Sequence, residues 1–262
     1  MLKSFIIAFS TYSKIPMPNI KWDKKNMKYS MCCFPFVGFV IGFALIACNK
    51  ICLWLDFGSL IKGVLFTAIP LVITGGIHMD GFMDTIDAKS SYASKEKRLE
   101  ILKDPHAGAF AIIFCCLYLL VSVSLFASLE NIQIVFVAFG YIYSRILSGL
   151  SVVTFKKAKK DGMVSDTAKH ASAGVKWILL IELLVFMIAI ITGSFCYGNM
   201  SHRYFLVWYG VAVVVSGLLA FMYYGYTAKK WFGGITGDLA GYFLQICELW
   251  ILIGVMVLGK LI

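Results

Sequence analysis

Apolar stretches about as long as a bilayer is thick recur from one end of this 262-residue chain to the other. Seven can be drawn, near residues 31–49, 63–79, 107–128, 132–155, 177–197, 204–226 and 238–259. A helical span needs about 17–25 apolar residues. Lipid gives the backbone no hydrogen-bond partner, so continuous runs of this length close their bonds within helices and are not barrel strands. Composition agrees, with 60% hydrophobic and 15% charged residues, against roughly half and a quarter in soluble domains. The expected fold is all-α: a polytopic helical integral membrane protein with about seven transmembrane helices in one bundle. The longest polar connections, 80–106 and 156–176, are too short for a second core. Residues 1–262 are therefore expected to form a single membrane-embedded domain, with 1–30 as an amphipathic or partly inserted N-terminal segment. Pro70 is a candidate kink in the second run.

The net charge of +10 invites a nucleic-acid reading, but its distribution does not support one. Counted by loop, nineteen Lys/Arg fall on one side of the seven runs and four on the other; the last, Arg145, lies inside the fourth run. This is the positive-inside pattern. It places the N-terminus and the lysine-rich loops on the cytoplasmic side of a cytoplasmic (inner) membrane, with the bilayer rather than nucleic acid as partner. The eight cysteines lie in or beside apolar runs without C-x-x-C spacing, as small buried thiols do.

Against this background "TGGIHMDGFMDTIDA", residues 74–88, stands out, because Asp80, Asp84 and Asp87 are three of only fourteen acids. On a continuing helix they follow i, i+4, i+7 and share a face. Three facing carboxylates repel and partly protonate; a magnesium ion, which prefers hard oxygen ligands, resolves the conflict. A solvated acidic cap is the plain alternative. Gly75 and Gly76 allow a helix or a ligand to come close. His78 points away from the aspartate face by about 200°.

Further acids and bases sit on the same side. In "RLEILKDPHAGAFA" (98–111), Lys103, Asp104 and His106 precede the third run. Asp104 is a candidate metal ligand or general base, and equally an N-cap with Pro105 at the first helical position. Gly108 would leave the helix start bare for a phosphate. The lysines of "KKAKKDGMVSD" (156–166) read as a solvated, lipid-facing loop, with diphosphate binding as the sharper alternative. In "KKWFGGITGDLAGYFLQICELW" (229–250), Thr236 can cap the last span, and the turn around Gly237 and Asp238 is a candidate phosphate or base cradle. Asp238, Gly241, Gln245 and Glu248 form a polar stripe that should face the bundle interior. Glu248 and Arg145 lie at equal depth from the inner ends of their spans, which makes them a candidate structural ion pair.

Acids at a membrane surface with magnesium suit a membrane transferase acting on a diphosphate-activated group. Two alternatives in that class are a CDP-alcohol phosphotransferase, whose Ala-Arg pair and later G-x-x-x-D-x-x-x-D are missing, and a prenyltransferase, which has two aspartate-rich motifs where this chain has one. A secondary transporter is the alternative from another class, but no repeat is evident and the acids lie at the surface.

Several ordered motifs resemble those of the cobalamin synthases (adenosylcobinamide-GDP ribazoletransferases). They are "FSTYSKIPMP" (9–18), "FPFVGFVIG" (34–42), "TGGIHMDGFMDTIDA", "RLEILKDPHAGAFA", "YSR" (143–145) and "GGITGD" (233–238), and together they span nearly the full chain. Pro105-His106 stand where many relatives carry Ser-Arg. The resemblance implies a transferase that joins adenosylcobinamide-GDP to α-ribazole or its 5′-phosphate, releases GMP and requires Mg2+. Carried onto this chain, Asp80, Asp84 and Asp87 would hold magnesium, and Asp104 or His78 would accept the hydroxyl proton. Gly75, Gly76, Gly81, Lys103, His106, Gly108, Arg145, Lys229, Lys230, Gly237 and Asp238 would contact substrate. The membrane would also concentrate a homo-oligomer or an assembly of late-pathway enzymes.

Overall fold

The computed structural model describes residues 1–197 and 203–261; residues 198–202, the side chains of Lys24, Cys196, Tyr197, Arg203 and Tyr204, and Ile262 lie outside the described residues. A short helix α1 (Leu2–Tyr12) and a single turn α2 (Lys24–Met27) lead into α3 (Ser30–Trp54). Next come α4 (Ser59–Thr74), α5 (Ile77–Ser90), α6 (Lys95–Ile101), α7 (Ala109–Ala127) and α8 (Asn131–Thr154). The chain closes with α9 (Met163–His170), α10 (Val175–Tyr197), α11 (Arg203–Thr227) with a π-helical turn at Ala228–Phe232, and α12 (Gly237–Leu261). Among the described residues, six helices are long and apolar enough to cross a membrane, or seven if α4 and α5 count as one span. The chain is a multi-pass helical membrane protein.

The expected run 63–79 is not one straight helix. α4 passes through Pro70 and ends at Gly75 and Gly76, both left-handed (φ +64° and +77°), and α5 leaves at 95° to it. The glycines therefore make the corner that proline was expected to make: only residues without a Cβ take two successive left-handed conformations cheaply. Gly76 N–H donates to Leu71 O (2.9 Å) and Gly75 N–H to Val72 O (3.2 Å), which closes the end of α4. α5 thus has its first turn beside the start of α12, packs Phe82 against Tyr118 of α7, and ends beside the start of α7.

α8 is the central helix and is buried along most of its length, against α3, α10, α11 and α12. α3 packs onto it through Gly42, where a Cβ would sit 2.7 Å from Ala138 O. Small residues at such crossings let helices approach where no hydrophobic force separates protein from lipid. Beneath the end of the bundle Arg145 on α8 and Glu248 on α12 pair, both buried, with Arg145 Nη1 also donating to Ser144 Oγ (2.9 Å) and Tyr141 O (3.2 Å).

Candidate active site

A cavity of about 380 Å³ opens where α1 and α8 end and α3, α5 and α12 begin. Two close helix contacts shape it. A Cβ at Gly81 would lie 2.7 Å from Asp238 O, and one at Gly241 would lie 3.1 Å from His78 O, so glycine on each helix lets α5 and α12 touch backbone to backbone. That contact brings Asp80 on α5 and Asp238 on α12 into the same cavity wall. Thr236 caps α12, accepting from Leu239 N–H (3.2 Å), and its hydroxyl donates to Asp238 Oδ2 (3.4 Å).

More of the lining comes from the lysine-rich segment 156–166, which was expected to be a solvated, lipid-facing loop. Instead its backbone is fastened to the Gly233–Asp238 turn: Ile235 N–H donates to Lys156 O (2.8 Å) and Ala158 N–H to Ile235 O (3.0 Å). A Cβ at Gly234 would meet Ala158 N at 2.6 Å, so glycine is what admits the strand-like pairing. Lys159, Asp161 and Ser165 line the cavity as a result, and Ser165 Oγ donates to Lys159 O (2.6 Å). Burial, helped by Lys103, lowers the Lys159 ammonium from its ordinary range, while Asp238 opposes the shift. Lys159 was not among the residues singled out in the sequence; one lysine in a run of four gives no signal of which is buried.

The three aspartates of α5 part company. Asp80 is exposed on the cavity wall. Asp84 is half-buried behind it; burial, then Asp80, Asp238 and Asp87, push its carboxyl up to about 6. Asp87 is occupied elsewhere, since its carboxylate accepts from Gly108 N–H (2.5 Å) and Ala111 N–H (3.1 Å) and so caps α7 from outside that helix. Among the described residues no three His, Cys, Asp or Glu side chains form a metal cage. Asp80, Asp84 and Asp238 still offer hard oxygens that raise one another's charge cost. Magnesium is commonly held by one or two carboxylates together with substrate phosphates. The donor set fits an ion shared with a bound diphosphate.

Other expected contacts move. Gly108 is not a free helix start, because the Asp87 carboxylate fills it. Asp104 does not cap α7, which begins at Ala109; it accepts from His106 N–H (3.0 Å) and pairs with His106 Nδ1 (2.8 Å), and these bonds hold its carboxyl below its usual range. His106, Lys103 and Asp104 are all exposed. Lys103 lies close enough to Lys159 to act on its charge. Arg145 is fully buried, paired with Glu248, and does not line the cavity. Gly75 packs on the Lys14 side chain and Gly76 completes the corner. Lys229 borders a separate cavity with Gly233 and Lys156, and Lys230 donates to Tyr226 OH (2.7 Å); neither lines the cavity of Asp80. Gly237 does line it. His78 is buried against Tyr12 and Phe34 at its edge, its Nε2 without a hydrogen-bond partner.

Fold and site together define the class: a multi-pass helical membrane protein with a carboxylate- and lysine-walled cavity set into one end of its bundle. Residues 4–256 match the cobalamin-5-phosphate synthase family. The chain is 42% identical over 248 residues to the adenosylcobinamide-GDP ribazoletransferase of Lachnoclostridium phytofermentans, covering 95% of this chain and 91% of the relative. Proteins of the same name from Clostridium botulinum (31% over 251 residues, 95% of each chain) and Clostridium perfringens (32% over 259 residues, 98% and 97%) are also similar. No solved structure matches. The chain belongs to the cobalamin-5-phosphate synthase family, and it is an enzyme, a transferase of cobalamin biosynthesis.

Proposed function

We propose that this enzyme joins adenosylcobinamide-GDP to α-ribazole or its 5′-phosphate, giving adenosylcobalamin or its 5′-phosphate and GMP, with magnesium as cofactor. The observation that carries the reading is the gathering of Asp80, Asp238 and Lys159 around one cavity, in a chain of this family. Asp80, Asp84 and Asp238 would hold magnesium, which when bound supplies charge neutralisation on the diphosphate oxygens. Lys159 and Lys103 add positive charge on the phosphate path, where steering raises local anion concentration. The ribose 3′-oxygen forms a bond to the phosphorus attached to cobinamide, the phosphoanhydride bond breaks, and GMP leaves with its phosphate.

The hydroxyl proton needs an acceptor. Asp104 is exposed and already engaged by His106, which weakens it as a base. His78 borders the cavity with an unpaired Nε2, and contact with a substrate hydroxyl requires the Tyr12 wall to yield. His78 is the stronger assignment. The cavity end carries the lysine-rich loops, so the active site and N-terminus face the cytoplasm at the cytoplasmic membrane.

Purified protein given adenosylcobinamide-GDP and α-ribazole phosphate should release GMP and a corrinoid product only with magnesium. Product formation that is indifferent to magnesium removes the cofactor assignment. No product from folded, monodisperse protein removes the reaction, and CDP-alcohols and then transport become the next substrates to test.

A further inference from the structure

A second cavity, about 560 Å³, lies between α5, α7, α11 and α12. Its lining is apolar and aromatic except at its head. There Lys89 Nζ donates to Tyr223 OH (3.0 Å) and Tyr242 OH (3.1 Å), hydroxyls that are themselves 3.3 Å apart. The ammonium also lies 5.3 and 5.1 Å from the two ring centroids. Lys89 is two residues from Asp87, about 200° around α5, so it faces away from the acids of the reaction cavity.

This head is an incomplete site. Among the described residues no carboxylate pairs with Lys89, and no Asp or Glu lines the cavity. A half-buried ammonium without a counter-ion is costly, and two neutral phenols do not neutralise it. The proton inventory points the same way. Both phenol oxygens accept from the lysine, and at most one phenol O–H is used between the tyrosines. At least one O–H and the third ammonium N–H are left over, and beside them the protein offers only neutral hydroxyls, Thr227 against Tyr223 and Ser90 in the lining, and no anion.

Depth and surroundings identify the acceptor's source. Tyr242 is five residues into α12, which puts the head roughly 7 Å below the start of that helix. Trp231 and Tyr92, the latter 92% exposed, flank the mouth, and aromatic residues of this kind collect at the headgroup level. Leu117 and Val121, exposed on α7, continue the wall onto the outer, lipid-facing surface.

We propose that this cavity binds one anionic phospholipid, its phosphate at Lys89, Tyr223 and Tyr242 and an acyl chain along Leu117 and Val121. Charge selects the occupant: the lysine needs an anion, and no acid stands by to receive a choline or ethanolamine ammonium. The assignment does not depend on the reaction proposed above.

Native mass spectrometry of the full-length protein, purified in micelles with phosphatidylglycerol or phosphatidylcholine added, tests it. The expected result is one retained phosphatidylglycerol, favoured over phosphatidylcholine by about fivefold, the factor that one interfacial lysine supplies. Lys89→Met should abolish the preference. Leu117→Trp, at an exposed position where folding is not at stake, should lower retention of phosphatidylglycerol by filling the chain path. Equal retention of both lipids, or full retention by Leu117→Trp, overturns the proposal. Displacement of the lipid by inorganic phosphate would do so as well, since it would mark a site for a free anion.

Discussion

Replacing Asp87 by Asn separates two jobs that a carboxylate on α5 could do. If its main work is to cap α7, the variant loses a charged acceptor for the Gly108 and Ala111 N–H groups. Loss of such a cap costs about 0.5–2 kcal/mol, and loss of negative charge at a helix N-terminus about 0.3–1 kcal/mol more. The sum is about 1–3 kcal/mol. In a chain of this size it corresponds to a fall in Tm of roughly 3–10 °C, with Asp87→Ala at the upper end because Asn keeps one acceptor oxygen. Thermal unfolding followed by tryptophan fluorescence gives the first readout, and the magnesium concentration for half-maximal GMP release gives the second. Asp87→Asn should lower Tm and leave the magnesium requirement nearly unchanged. Asp80→Asn should leave Tm nearly unchanged and raise the requirement by about tenfold or more. An Asp87→Asn protein with wild-type Tm and a magnesium requirement shifted like that of Asp80→Asn would refute the capping account.

The buried Arg145–Glu248 pair predicts non-additivity: Arg145→Met and Glu248→Leu each cost about 3–5 kcal/mol in unfolding assays, while the double variant costs less than either. Additive losses would count against a direct pair. Gly81→Ala pushes a methyl into the Asp238 backbone and should cost about 1–3 kcal/mol, with activity falling further than stability because Asp80 and Asp238 are driven apart. Lys159→Met should raise KM for the diphosphate substrate with little change in Tm. Asp84 sets a pH dependence. Its folded pKa is raised from 3.8 to about 6, so without magnesium its contribution to stability is fully present below about pH 4 and is lost as pH rises to about 6. Magnesium should reverse that loss, and the concentration required should climb as pH falls below 6.

The bundle was legible in the sequence because membrane spanning leaves a continuous apolar signature; so was the depth match of Arg145 and Glu248, which needs only a helical rise and two span ends. The corner at Gly75–Gly76 was harder. Glycine inside an apolar run is common in membrane helices, and only backbone dihedrals reveal that these two turn the chain. The i, i+4, i+7 register of Asp80, Asp84 and Asp87 was readable from spacing. Which of them caps another helix was not, because Asp87 finds Gly108 across 21 residues of loop and helix. The same holds for Lys159, placed by backbone pairing between two loops whose side chains give no hint of it.

α4 is 16 residues long before the corner, or roughly 24 Å of helix against a hydrocarbon layer of about 30 Å. If α4 crosses without α5, a helix that short would draw the membrane surface inward around itself. The dimple would fall where α4 hands over to α5, at the rim of the reaction cavity. A bulky, charged nucleotide substrate would then meet the cavity mouth from water without wading through headgroups, and a thicker bilayer, by pulling on α4, would bear directly on the corner that holds Asp80 in place.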